Sequence, residues 1–327
     1  MFVRTMALIL AGCTELSVVN VDLPREGLFP EGIVNDGEDN LYVTGFGDGS
    51  LLRISADDDS VETIKEPGED GLSSAVGMAA DSERRRLWVA NFDFDTFSSD
   101  LRVFDLDNGD LLATVTPPAD LGPHFFNEMA LGPDGRVYVS DTLQPRIWTA
   151  GPDLDSMASI LVEDPRLANP DPERPFGLNG LALTPDGTAL IASVMDRIEP
   201  GDGRLVRVDL DGSKVTDITL SGDTAEFGGG DGILFDGNTL IMVNVTPPAA
   251  IVTATFGNDF TTAELVGRDA FAEEFDRPTA PAIRGRRLFV VNSQLDHIID
   301  DGNGALKTPP ELPFQVVGVP LRELVNN

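Results

Sequence analysis

At 327 residues, 41% hydrophobic and 24% charged, the chain is long enough to bury a substantial core and too apolar to stay disordered. Its 55 Asp and Glu against 23 Lys and Arg give a formal net charge of -32, which repels nucleic-acid phosphates and anionic lipid headgroups and excludes nucleic acid as a partner. The acid is mostly Asp (37, against 18 Glu) and the base almost all Arg (20, against 3 Lys), a bias that suits a halophilic surface solvated in high salt or, alternatively, an acidic extracellular protein.

Residues 1–15 read as a leader. Arg4 precedes a short apolar run, and Leu10-Ala11-Gly12-Cys13 resembles the bacterial lipobox, which makes Cys13 a candidate lipid anchor and places the protein outside the cytoplasm, at the cell surface or in the periplasm. The alternative is a cytoplasmic protein with a stray apolar N-terminus. The run is shorter than the ~7–15 residues of a signal core and far below the ~20 needed to span a bilayer, and no other stretch is long enough for a membrane helix. Cys13 is the one cysteine, so no intrachain disulfide forms and the fold rests on its core or on a bound ion.

Residues 16–327 carry one architecture throughout. After an alternating strand at 16–23, a unit recurs six times: a small or polar residue, an apolar alternation, a turn rich in Asp and Gly, then another strand. The units begin at Pro30, Ala75, Phe126, Leu178, Gly230 and Pro278, and their second residues lie 45, 51, 52, 52 and 48 positions apart. Period-2 alternation and turns such as Pro133-Asp134-Gly135 and Pro185-Asp186-Gly187 make the pieces strands. Most units continue with a second pair; residues 204–220 read as a hairpin turning at Asp211-Gly212. Four strands per unit and six units predict an all-β, six-bladed propeller. Its ring has to be closed, so one of the segments 16–23 and 314–321 is expected to add a strand to the blade formed by the other end.

The second residues of the units are Glu31, Val76, Asn127, Asn179, Asp231 and Thr279. Equivalent positions in a propeller face one axis, so Glu31, Asn127, Asn179 and Asp231 are expected to converge at one mouth of the channel. Two carboxylates and two amide carbonyls form a hard, oxygen-only site suited to Ca²⁺, with Mg²⁺ the alternative; Zn²⁺ is disfavoured because no Cys or His stands in the register.

Pro30-Glu31-Gly32-Ile33, Asn127 followed by an acid, Asn179-Gly180-Leu181-Ala182 with Pro185-Asp186-Gly187, and Asp231-Gly232 together resemble the senescence marker protein/gluconolactonase (regucalcin-like) family. Its wider relatives are the diisopropyl fluorophosphatases, calcium-dependent phosphotriesterases, and the paraoxonases. The resemblance runs from about residue 31 to 319, and the spacings of 96, 52 and 52 between the four residues fit the family's blade step. It implies Glu31, Asn127, Asn179 and Asp231 as metal ligands, Asp231 also as general base or nucleophile, and a small-molecule lactone, ester or phosphotriester as substrate. The departure is Glu128, where the family commonly has Asp after the blade-three Asn. A noncatalytic exported propeller with a structural metal, binding a ligand or a protein, is the alternative reading, and a strictosidine synthase-like propeller a third.

Of the two histidines, His124 lies three residues before Asn127, placed for a proton shuttle or for loop packing. His297 could line the channel or a second ion site. The absence of a Gly-x-Ser-x-Gly elbow argues against a Ser-His-Asp hydrolase. Phe46, Phe92, Phe125 and Phe126 fall at strand ends on the same side and are candidates for an apolar substrate wall, with core packing their ordinary role.

Overall fold

The computed structural model describes residues 17–325 apart from 120, 155–156, 170, 172–175, 196–202, 245–249, 269 and 299–307. Cys13 and the leader lie outside the described residues. No helix among those described is long and apolar enough to cross a membrane.

Six sheets, antiparallel except for one outer strand, make six blades, as the repeat predicts. Each blade opens with one strand from the recurring unit: Pro30–Asn35, Ser74–Asp81, Phe126–Leu131, Leu178–Leu183, Gly230–Asp236 and Pro278–Arg284. Each of these touches the first strand of the blade before and of the blade after, and the last touches the first, so the six line a closed central channel.

The core lies between blades. Trp88 and Val103 of blade two pack with Val139 and Trp148 of blade three, and Ile191 and Leu205 of blade four with Met242 and Val252 of blade five. Burial on both sheet faces explains why the inner strands read as nearly continuous apolar runs. Each buried large side chain contributes about 1.5–3 kcal/mol relative to exposure.

Both ends of the chain build the last blade. Phe314–Pro320 is its third strand, and Val19–Leu23 pairs antiparallel outside it, with Val19 opposite Gly318 and Leu23 opposite Phe314. Val21, Phe289 and Phe314 of this blade pack with Val43 and Leu52 of blade one, so the edge-covering strand also seals the ring.

Blade five departs from four strands. The turn at Asp211-Gly212 forms as expected, with Gly212 at φ 70°, but the returning strand splits. Val215–Asp217 stays in blade four, while Thr219–Gly222 crosses to lie parallel against Thr262–Arg268 as a fifth strand of the next blade. The crossing follows burial: Ile218 is buried, its N–H donates to Leu205 O at 3.0 Å, and the next N–H, of Thr219, donates to Thr261 O at 3.0 Å.

Candidate metal centre and active site

In every blade the ladder between the first and second strands breaks at the same place. Paired positions jump from Pro30 to Ile33, Ala75 to Met78, Phe126 to Met129, Leu178 to Leu181, Gly230 to Ile233 and Pro278 to Pro281. The two skipped residues are always the register residue and the one after it. Such a bulge frees a residue from the ladder and re-aims its side chain. Repeated around the ring, it turns the register residues toward one channel.

Neighbouring bulges interlock closely, and in every blade but the third the following position carries Gly or Ala. A Cβ on Gly77 would stand 2.3 Å from Asn127 O, and one on Gly180 2.1 Å from Asp231 O. The freed backbone groups find hydroxyls, Gly32 N–H donating to Thr44 Oγ1 (2.8 Å) and Glu128 N–H to Ser140 Oγ (2.9 Å), while Gly230, still in its ladder, donates its N–H across to Ser193 Oγ of blade four (2.8 Å). The register residues without a carboxylate or amide serve the same interlock. Thr279 donates from Oγ1 to Glu31 O at 2.7 Å, and the carbonyl of Val76 accepts from Thr44 Oγ1 at 2.6 Å.

Glu31, Asn127, Asn179 and Asp231 are all buried, at 4–6% exposure. Glu128, which follows Asn127 where other blades have Gly or Ala, is buried with them. Five side-chain oxygens, Glu31 Oε2, Asn127 Oδ1, Glu128 Oε1, Asn179 Oδ1 and Asp231 Oδ1, have no hydrogen-bond donor. Among the described residues no other Asp, Glu, Asn or Gln oxygen is buried in that condition. An orphaned buried acceptor costs about 1–3 kcal/mol, so five of them, four at one repeated position and the fifth next to it, mark a place built for something positive. The amides are turned to suit: Asn127 Nδ2 donates to Thr142 Oγ1 at 3.0 Å, and Asn179 Nδ2 faces Met195 Sδ at 3.8 Å, which leaves both carbonyl oxygens for the cluster.

The carboxyl groups feel one another. Burial, then the charge of Glu128, pushes Asp231 up to about 8; burial pushes Glu128 up to about 7; burial, then Asp231 and Glu128, holds Glu31 well above the usual carboxylate range. Among the described residues no three acidic, His or Cys side chains gather closely enough to hold an ion unaided, so a cation here also needs the amide oxygens. An all-oxygen set of carboxylates and amide carbonyls fits a hard divalent cation.

Sequence reasoning placed Glu128 as a neighbour of the ligands; the structure sets its Oε1 among the orphaned oxygens. The available signal was its length, since the same position is Gly in blades one, two, four and five and Ala in blade six.

His124 does not gather with these groups. Its Nδ1 lies 2.9 Å from Gly122 O and its Nε2 3.1 Å from Ser99 O, with the ring against Phe126 and Trp148. Each nitrogen faces a main-chain carbonyl, and the one that carries the proton donates to it, the geometry of a packing residue; the proton-shuttle expectation finds no support in it. His297 Nδ1 lies 2.9 Å from both Pro309 O and Thr308 Oγ1, so it pins the chain entering the last strand and does not line the channel.

A cavity of about 700 Å³ opens onto the cluster, and of the five residues Asp231 is the one that lines it. Phe46, Phe92 and Phe125 form part of its wall, as the sequence suggests, while Phe126 turns away into the core. Buried Asp141 fixes that wall by accepting from the N–H groups of Phe125 (3.0 Å) and Leu143 (3.2 Å) and from Trp148 Nε1 (3.1 Å).

No family model matches the chain, and no curated protein does. Solved structures do. The allergen Mala s 1 of Malassezia sympodialis superposes with a TM-score of 0.67 at 18% identity, covering 91% of this chain and 95% of the allergen. A gluconolactonase of Xanthomonas campestris gives 0.61 at 15%, covering 92% and 88%, and regucalcin of Agrobacterium tumefaciens, described as a calcium-binding protein, gives 0.57 at 17%, covering 90% of each. At these identities the likeness shows a shared propeller fold, and that fold is the one on which the gluconolactonase and the calcium-binding regucalcin are built.

Proposed function

We propose that the protein is a divalent-metal-dependent hydrolase of lactones or related esters, with Ca²⁺ the favoured ion and Mg²⁺ the alternative. The observation that carries this reading is the set of five orphaned oxygens beneath a cavity that only one of their residues, Asp231, lines. Glu31, Asn127, Asn179 and Asp231 would hold the ion, with the Glu128 oxygen beside them. When bound, such an ion polarises a carbonyl or phosphoryl oxygen. Asp231 is the side chain a substrate can meet from the cavity, and as a carboxylate it either attacks the carbonyl carbon or takes a proton from a water that does. Its raised pKa makes the carboxylate form depend on a compensating positive charge, which ties its reactivity to ion binding. Gly232, which follows it, lets blade six pack close: a Cβ there would stand 2.6 Å from Ala280 Cα.

The test is a panel of lactones and aryl esters assayed on chelator-stripped protein before and after Ca²⁺ is restored. Turnover that appears only with the ion is the expected result. Ion binding without turnover on any member of the panel would favour a noncatalytic propeller with a structural metal.

A further inference from the structure

We infer that the substrate arm received by this cavity is apolar, an aryl or arylalkyl group, and that a polyhydroxylated sugar lactone is not the ligand. The inference rests on the hydrolase reading for the word substrate, but its physical content concerns binding. The chain spends 18 Phe against two Tyr and two Trp, and six of those phenylalanines line this one cavity: Phe46, Phe92, Phe94, Phe97, Phe125 and Phe176. They form a built surface. Phe92 stacks on Phe125 with centroids 4.4 Å apart and meets Phe94 and Phe97 edge-on at 4.8 and 5.9 Å, while Phe46 meets Phe94 edge-on at 5.6 Å. Phe94, Phe97 and Phe176 remain 46–52% exposed and stand together on one cavity, whereas the other exposed large apolar side chains among the described residues, Leu111, Leu112, Met157 and Leu312, lie off it. Contiguous exposed aromatic surface marks a binding site, where scattered exposure would not.

Apart from Asp231, the polar groups of the lining stand on the blade-six side, and their donors are largely engaged. Thr279 gives its hydroxyl proton to Glu31 O, Ser293 gives its own to Arg277 O at 2.7 Å, and Arg277 Nε lies 3.8 Å from Asp296 Oδ1. A sugar lactone would press several hydroxyls against phenyl faces that offer no partner, and each unpaired group loses its water. An aryl group meets the opposite situation: ring edges and faces are presented at the distances aromatic pairs prefer. A volume of about 700 Å³ admits an arm of this kind with its ester at Asp231.

The inference is tested by calorimetry with two uncleaved amide stand-ins, 4-phenylbutanamide and gluconamide, on the Ca²⁺-loaded full chain, with a Phe94→Asn/Phe97→Asn double variant as comparison. The phenyl compound is expected to bind and gluconamide not to compete with it. The double variant should bind the phenyl compound at least about tenfold more weakly with an unchanged unfolding temperature, because both rings are half exposed. Tighter binding of gluconamide, no binding of the phenyl compound, or equal affinity in wild type and double variant would overturn the inference. Aryl-ester and gluconolactone turnover is measured alongside. Phenyl binding without turnover of any ester leaves the inference standing and removes the hydrolase reading, whereas turnover that prefers gluconolactone removes the inference and leaves the hydrolase.

Discussion

Asp231→Asn is expected to lower turnover on any ester the protein cleaves by about 10²–10⁴-fold and, in metal-free protein near pH 8, to raise the unfolding temperature. The two effects have one origin. Asp231 is the only cluster side chain that lines the cavity, so a near-isosteric amide keeps the packing and removes the base or nucleophile. It also removes a buried carboxyl that burial and Glu128 push up to about 8, and with it the cost of ionising that group beside another acid. A purely structural Asp would behave oppositely, with stability lost and turnover kept. Steady-state kinetics and thermal unfolding in chelator distinguish the two, and unchanged turnover would remove Asp231 from the chemistry.

Metal-free protein is further expected to lose stability as the pH rises from about 5 to about 8, by on the order of 5 kcal/mol, while Ca²⁺-loaded protein stays nearly level. Glu31, Glu128 and Asp231 have folded pKa values raised above those of the unfolded chain, mainly by burial. The folded state therefore keeps protons that the unfolded chain gives up. That advantage is complete below the unfolded values near 4 and disappears as the pH climbs through the folded ones, about 7 for Glu128 and about 8 for Asp231. Ordinary carboxyls have finished titrating by about pH 5 and the chain has two histidines, so the window belongs to the buried acids, these three together with Asp141 and Asp276, which burial also raises. Bound cation supplies the compensating charge and removes the slope. Unfolding temperatures across this range, with chelator and with Ca²⁺, are the check, and Glu128→Gln should flatten the metal-free curve. Parallel curves for the two conditions would contradict the electrostatic origin.

The ring was legible because the same bulge recurs at nearly constant spacing, and a bulge that must re-aim a polar side chain into a channel leaves a mark on sequence: an acid or amide followed by a glycine. Glu31-Gly32, Asn179-Gly180 and Asp231-Gly232 show it directly. Glu128 was harder, since both residues of a bulge leave the ladder and period-2 alternation no longer says which way either points. Adjacent Phe125 and Phe126, both wall candidates in the sequence, part company in the fold, one to the cavity and one to the core. The fifth strand of blade five depends on Thr219 finding Thr261 O in the next blade, and the role of His124 depends on two carbonyls, Gly122 O and Ser99 O. Contacts of that kind arise between segments and leave no local pattern to read.

An axial metal centre is tested most directly by calorimetric titration of Ca²⁺ into chelator-stripped protein near pH 7, carried out in two buffers of different ionisation enthalpy. Binding of one ion, with on the order of one to two protons released to the buffer as the buried acids ionise, is the expected result. No binding, or binding with no proton release, would contradict a cation site formed by Glu31, Asn127, Asn179 and Asp231 with Glu128 beside them.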